Sequence, residues 1–209
     1  MMAKGTSLRA RTRRGMAMRW PLATLLLITA LVAGCGGGGD AGRTDGKLNV
    51  VATTGQVGDV AARVGGDRVA VTTLMGPGID PHLYKASAGD VERLRRADVI
   101  FYNGLHLEAK MGEVLGKLNA RQPTVAVAEV IPADRLIAAA GFSGSYDPHV
   151  WFDVELWSHT IDAVANKLAE LDPPDADGYR ARAEAYGDEL AQLHALSLIH
   201  ISEPTRLQV

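Results

Sequence analysis

The sequence predicts an α/β fold, a single lobe built on a parallel sheet with flanking helices. Three observations lead there. Four short runs rich in β-branched residues alternate with segments whose apolar residues recur at helical spacing. The alternating stretch is long enough, at about 150 residues, to bury a core of its own. No internal repeat is present apart from one tripeptide, Asp-Pro-His, which occurs twice.

The first run, Leu48 to Thr53, is followed by helical spacing from Val57 to Val64 that stops at Gly65-Gly66. Val69 to Met75 is the second strand. Ser87, with Asp90 three residues on, makes a capping box that opens a helix to Arg96, with Val91 and Leu94 on one face. Val99 to Tyr102 is the third strand, Leu107 to Leu118 a helix and Thr124 to Ala128 the fourth strand. A long loop, Pro132 to Pro148, leads into Val150-Trp151-Phe152, with Trp151, Phe152 and Trp157 expected in the core. Val154 to Leu171 is an amphipathic helix stopped by Asp172-Pro173-Pro174, and a more polar helix runs from Asp175 to Leu193. Regular βα alternation implies a sheet covered on both faces.

The two ends differ from this body. Residues 1–34 hold Lys4, Arg9, Arg11, Arg13, Arg14 and Arg19 with no acid, then an apolar run from Leu22 to Ala33. A basic start and a short apolar stretch ending in small residues make a secretory signal, too short for a stable membrane span. Val32-Ala33-Gly34-Cys35 resembles the bacterial lipobox, which implies cleavage before Cys35 and lipid on its thiol. Thr12-Arg13-Arg14 faintly resembles a twin-arginine signal, without the bulky apolar pair that would follow. Cys35 is the only cysteine, so the folded part offers no disulfide and no thiolate site. Residues 35–47, rich in glycine, form a flexible tether and not a phosphate loop, because no strand precedes them. The whole chain carries −2; setting aside the six positive charges of residues 1–34 leaves −8, which argues against a nucleic-acid groove.

At the other end, Leu196 to Arg206 reads LSLIHISEPTR. Back-translated, it matches a transposon-end adapter used for sequencing libraries, so residues 196–209 are expected to be adapter-derived, and His200 is not counted as a ligand. The helix before it has no stop signal, and Pro204 would break whatever follows.

The chemistry sits in two loops. His82 follows Gly76-Pro77-Gly78-Ile79-Asp80-Pro81 after the second strand, and His149 follows Tyr146-Asp147-Pro148 after the long loop. In an open α/β sheet both loops would leave the carboxyl edge, where ligands collect. Each proline restricts the backbone before an imidazole, and Asp80 and Asp147 could orient the rings from behind. Imidazole suits zinc, and a mixed imidazole–carboxylate set suits manganese, iron or zinc. A solvated surface residue is the plainer account of any single loop histidine; the duplicated tripeptide is what favours a metal pair.

Asp80-Pro81-His82-Leu83-Tyr84, then Ala97 to Glu108 (ADVIFYNGLHLE), then Asp147-Pro148-His149-Val150-Trp151-Phe152-Asp153, resemble the solute-binding lipoproteins of manganese/zinc ABC importers. The likeness runs from about Val50 to Leu193 and includes Thr53-Thr54, Asp172-Pro173 and Tyr179. It implies two α/β lobes joined by one long linking helix, with the metal between them. His82 and His149 match the two histidines of the first lobe. The histidine or glutamate and the aspartate of the second lobe have no counterpart, so the chain is expected to be the first lobe, 48–174, with the start of the linking helix, 175–195. That helix is expected to expose an apolar stripe. His194 is not promoted to a third ligand, His106 is expected at the surface or behind the site, and His159 on a helix surface. Glu108 is either a partner behind the ligands or a helix-start acid.

The resemblance further implies an extracytoplasmic, lipid-anchored monomer that captures Mn2+ or Zn2+ as cargo and passes it to an ABC permease and its ATPase. Manganese comes first, because Ala138 to Tyr146 lacks the histidine-rich loop of zinc-dedicated relatives. An adhesin or metal chaperone on the same scaffold is the alternative. A zinc hydrolase is disfavoured by the lack of a His-Glu-x-x-His helix or a Gly-x-Ser-x-Gly elbow.

Overall fold

The computed structural model describes residues 46–139 and 145–202, with side chains to Ser197. The expected signal, Cys35, most of the tether, the middle of the long loop and residues 203–209 of the tail lie outside them. Four strands, β1 (Leu48–Ala52), β2 (Val69–Thr73), β3 (Val99–Tyr102) and β4 (Thr124–Ala126), pair in parallel in the order β2-β1-β3-β4. The register places Val50 opposite both Val71 and Val99, and Phe101 opposite Val125. The helices are α1 (Gly55–Gly65), α2 (Ala88–Arg96), α3 (Gly112–Asn119), α4 (Val154–Leu171) and α5 (Ala176–Ser202). None of the described helices is long and apolar enough to cross a membrane.

Strand alternation sends successive side chains to opposite faces. Val50, Ala52 and Phe101 join α1, α4 and α5 in the larger core, beside Val57, Val60, Ile161 and Leu168. Val51 and Ile100 point the other way, onto Leu94 of α2 and Met111, Leu115 and Leu118 at α3. Both faces are therefore covered, as the βα alternation requires. The capping box forms as expected: the Ser87 hydroxyl accepts from Asp90 N at 3.2 Å, and the Asp90 carboxylate accepts from Ser87 N at 2.9 Å.

Four expectations are corrected. The helix expected over Leu107–Leu118 is regular only from Gly112; residues 109–111 form a 3-10 turn. Its first bonds reach three residues back, Leu107 N to Gly104 O at 3.0 Å and Met111 N to Glu108 O at 2.9 Å, while the Glu108 carboxylate turns back to accept from the backbone N–H groups of Asn103 and Gly104. Phe152 is 81% exposed instead of packed in the core, although Trp157 is buried. The apolar stripe of the last helix is not open through Leu190: Tyr179, Ala183, Tyr186 and Leu190 are buried against the lobe, and Leu193 and Leu196 stand half exposed. The fourth strand is also shorter than expected, giving way to a 3-10 turn over Val127–Val130.

Two clamps pin α5 to the lobe. Tyr179 donates to Asp172 at 2.9 Å, where Arg68 also binds, and Tyr186 donates to Asp59 at 3.0 Å. Arginines cover both rings, Arg182 over Tyr179 at 5.0 Å and Arg63 over Tyr186 at 4.8 Å. Burial pushes both phenols up to about 12, with the neighbouring aspartates adding to the effect.

Candidate metal centre

Both histidine loops leave the carboxyl edge of the sheet. The His82 loop departs from β2, whose extension is tied to β1 by Leu74 N donating to Ala52 O and Met75 N to Thr53 O, both at 2.9 Å. The His149 loop arrives from beyond β4, through an antiparallel bridge between Ala138 and Tyr146 and a bond from Asp147 N to Ile137 O at 2.8 Å. Each Asp-Pro-His makes the same bond from its histidine N–H to its aspartate. Asp80 Oδ1 accepts from His82 N at 2.9 Å, and Asp147 Oδ1 accepts from His149 N at 2.9 Å. This is the aspartate turn, in which a side-chain oxygen captures the N–H two residues on.

The structure brings the two imidazoles together. His82 Nε2 lies 3.2 Å from His149 Nε2, with ring centroids 5.2 Å apart. Beyond the backbone the two tripeptides differ. Asp147 Oδ1 also lies 2.6 Å from His149 Nδ1. With a proton on Nδ1 the imidazole donates to the carboxylate, an arrangement that turns the Nε2 lone pair toward His82. Asp147 is held below the ordinary carboxylate range first by the His149 backbone N–H and then by the imidazole. Asp80 reaches only the backbone of His82. Trp151 lies edge-on to the His149 ring at 5.2 Å.

Glu108 is elsewhere. It is buried, and its carboxylate accepts from Thr53 Oγ1 at 2.6 Å, Asn103 N at 2.8 Å and Gly104 N at 3.2 Å. It thus ties the ends of β1 and β3 and touches neither imidazole in these bonds. The turn it closes is strained: Leu105 and His106 both have positive φ, 51° and 65°, directly after Gly104 at 85°. Gly104 has no alternative, since a Cβ there would sit 2.9 Å from that of Ala126. His106 is exposed beside this turn, His159 is partly buried on α4, and His194 lies 3.9 Å from Glu155. Among the described residues no group of three or more His, Cys, Asp or Glu side chains is arranged to hold a metal. The centre is a pair.

Two contacts escaped sequence reasoning. Asn103 Nδ2 donates to Pro148 O at 3.1 Å, and Trp151 braces His149. Asn103 and Pro148 are 45 positions apart, so no local pattern signals their bond.

Beside the pair, a cavity of about 830 Å³ runs between Thr54, Met75, Ile79, Pro81, Trp151 and Tyr186. Its walls come from the His82 loop, the start of α1 and the middle of α5.

A manganese-binding lipoprotein, MntA of Bacillus subtilis (strain 168), is 44% identical over 191 residues, 90% of this chain and 62% of its own length. A zinc-binding protein, TroA of Treponema pallidum (strain Nichols), is 47% identical over 151 residues, 72% of this chain and 48% of its own. The solved structure of periplasmic zinc-binding TroA from Treponema pallidum superimposes with a TM-score of 0.69 at 46% identity, covering 72% of this chain and 54% of that one. The chain therefore spans about half to three-fifths of the length of these relatives. The model of the zinc-uptake complex component A family (ZnuA, periplasmic) matches residues 50–197, and the chain belongs to that family.

Proposed function

We propose that the whole protein captures a divalent transition-metal ion outside the cytoplasm, manganese first and zinc second, with this chain contributing His82 and His149. In the whole protein the ion is cargo for an ABC permease and its ATPase, and no bond is made or broken. Asp147 and Asp80 set the loops from behind, and a lipid on Cys35, followed by the glycine tether, holds a monomeric protein at the membrane. The names of the relatives, one manganese-binding and one zinc-binding, support this choice of ions.

One observation carries the reading, the 3.2 Å separation of the two Nε2 atoms. Two lone pairs at that distance repel unless a proton or a cation lies between them. A zinc ion bonded to both at about 2.05 Å would subtend 2·arcsin(1.6/2.05), or about 103°, close to the tetrahedral angle that zinc prefers. The pair is thus already at the spacing of two ligands on one ion. The test is competition titration of the chain with zinc against a chromophoric chelator. One equivalent should bind, and His82→Ala or His149→Ala should each weaken binding at least about 10-fold. If both variants bind like the parent, the reading fails.

A further inference from the structure

We propose that Asn103 is a positioning residue for the His149 imidazole, seated by Glu108 and acting through the carbonyl of Pro148. The inference rests on the metal-capture reading above.

Asn103 directly follows β3 and is held through its backbone and its amide nitrogen. Its N–H donates to Glu108 at 2.8 Å, and its carbonyl accepts from Ala128 N at 2.9 Å. Its Nδ2 donates to Gly104 O and, across to the other loop, to Pro148 O, each at 3.1 Å. Pro148 immediately precedes His149, and its ring removes most of the freedom of that junction. A bond to its carbonyl therefore fixes the peptide plane from which His149 departs. The carboxylate bonded to the imidazole is itself exposed: Asp147 and His149 are 49% and 40% exposed. Asn103, by contrast, is fully buried. Of the bonds named here, the one from Asn103 alone joins the His149 arm to the sheet core.

A second observation separates this role from ordinary packing. Asn103 Oδ1 is buried without a hydrogen-bond partner. An orphaned buried carbonyl is unfavourable, and a leucine of similar shape would remove it. The amide is therefore poorly suited to its place as filler and well suited as a two-way donor. Glu108 extends the same strut to the other loop. Through Thr53 Oγ1 it fixes the residue whose carbonyl receives Met75 N, where the His82 loop begins. One buried carboxylate thus stands under both arms, and the asparagine is its arm toward His149.

The experiment compares Asn103→Leu with the parent chain, alone and in a His149→Ala background. Zinc affinity is read by competition, and the His149 tautomer by long-range 1H–15N spectra without metal. Asn103→Leu should weaken zinc binding about 10-fold, the scale of losing a group that orients a ligand. It should also turn a single His149 tautomer into an exchange-averaged signal while thermal stability holds. In the His149→Ala background it should cause no further loss. Asn103→Ser, too short to reach Pro148, should behave the same way and serves if leucine is not accommodated. Unchanged affinity and an unchanged tautomer signal would overturn the proposal, as would equal losses in both backgrounds. If His149→Ala itself leaves zinc binding intact, the metal reading falls, while the tautomer spectra still decide whether Asn103 positions the ring.

Discussion

Replacing Asp147 by asparagine should weaken zinc binding about 5- to 10-fold, while Asp80→Asn should leave it within about 2-fold, although both sit in the same tripeptide. The structure supplies the difference. Each aspartate accepts the N–H of its histidine at 2.9 Å, and an asparagine oxygen accepts the same bond. Only Asp147 also holds the Nδ1 proton, at 2.6 Å. That bond is charge-assisted, worth about 1.5–3 kcal/mol against about 0.5–1.5 for a neutral one. Because the pair is 40–49% exposed, the loss belongs at the low end, about 1–1.4 kcal/mol, which converts to the stated factor. The assay is chelator competition at fixed pH and salt on the two single variants. Equal losses, or a larger one at Asp80, would refute the argument that the carboxylate acts on the imidazole and not on the turn.

Other consequences follow from the packing. Glu108→Ala strands three donors in the interior and should lower stability by about 3 kcal/mol, or about 6–12 °C in Tm by calorimetry. The two tyrosine clamps predict alkaline sensitivity. Folded phenols at about 12 are protonated beyond the usual value of 10, so their stabilisation is complete below pH 10 and lost as pH rises toward 12. Denaturant midpoints of the parent should therefore fall across that window, and those of a Tyr179→Phe/Tyr186→Phe variant should fall less. Gly116→Ala, whose new methyl meets nothing within 4 Å on α3, should stabilise by about 0.5–1 kcal/mol in urea unfolding. Gly65→Ala should instead destabilise, because its methyl would overlap the Val69 side chain.

What was legible in the sequence was whatever local chemistry decides. Ser87 and Asp90 announce a helix start because the cap is made within four residues, and the strands over Leu48–Ala52 and Val99–Tyr102 are β-branched or aromatic runs buried on both faces. The two histidines could be picked out because their tripeptide is repeated. Their 3.2 Å approach could not, since it depends on where β2 lies relative to the arm beyond β4. Helical spacing over Leu107–Leu118 failed at its first turn, where Leu107 N and Met111 N pair three residues back, with Gly104 O and Glu108 O, and not four. The stripe Tyr179, Ala183, Tyr186, Leu190 was visible in its spacing of four and three, but spacing does not say which surface covers it. Phe152 was misplaced because hydrophobicity alone does not say which side of a 3-10 turn faces out.

The pair of imidazoles bears on metal choice in a direction opposite to the order proposed for the whole protein. Nitrogen donors follow the divalent series in which manganese binds most weakly and zinc more strongly. The 3.2 Å separation suits either ion: a short bond gives the near-tetrahedral angle of zinc, and the longer bond of a larger ion closes the angle toward the roughly 90° of an octahedral shell. The affinity series alone ranks zinc above manganese at His82 and His149. Among the described residues no third ligand joins them to reverse that order. A manganese preference in the whole protein must therefore come from hard oxygen ligands added to this pair, which suit manganese and fill a larger coordination shell. This chain should bind zinc more tightly than manganese by at least about 10-fold in parallel competition titrations. Tighter manganese binding by these residues alone would show that selectivity is built into the imidazole pair, and the division of labour argued here would be wrong.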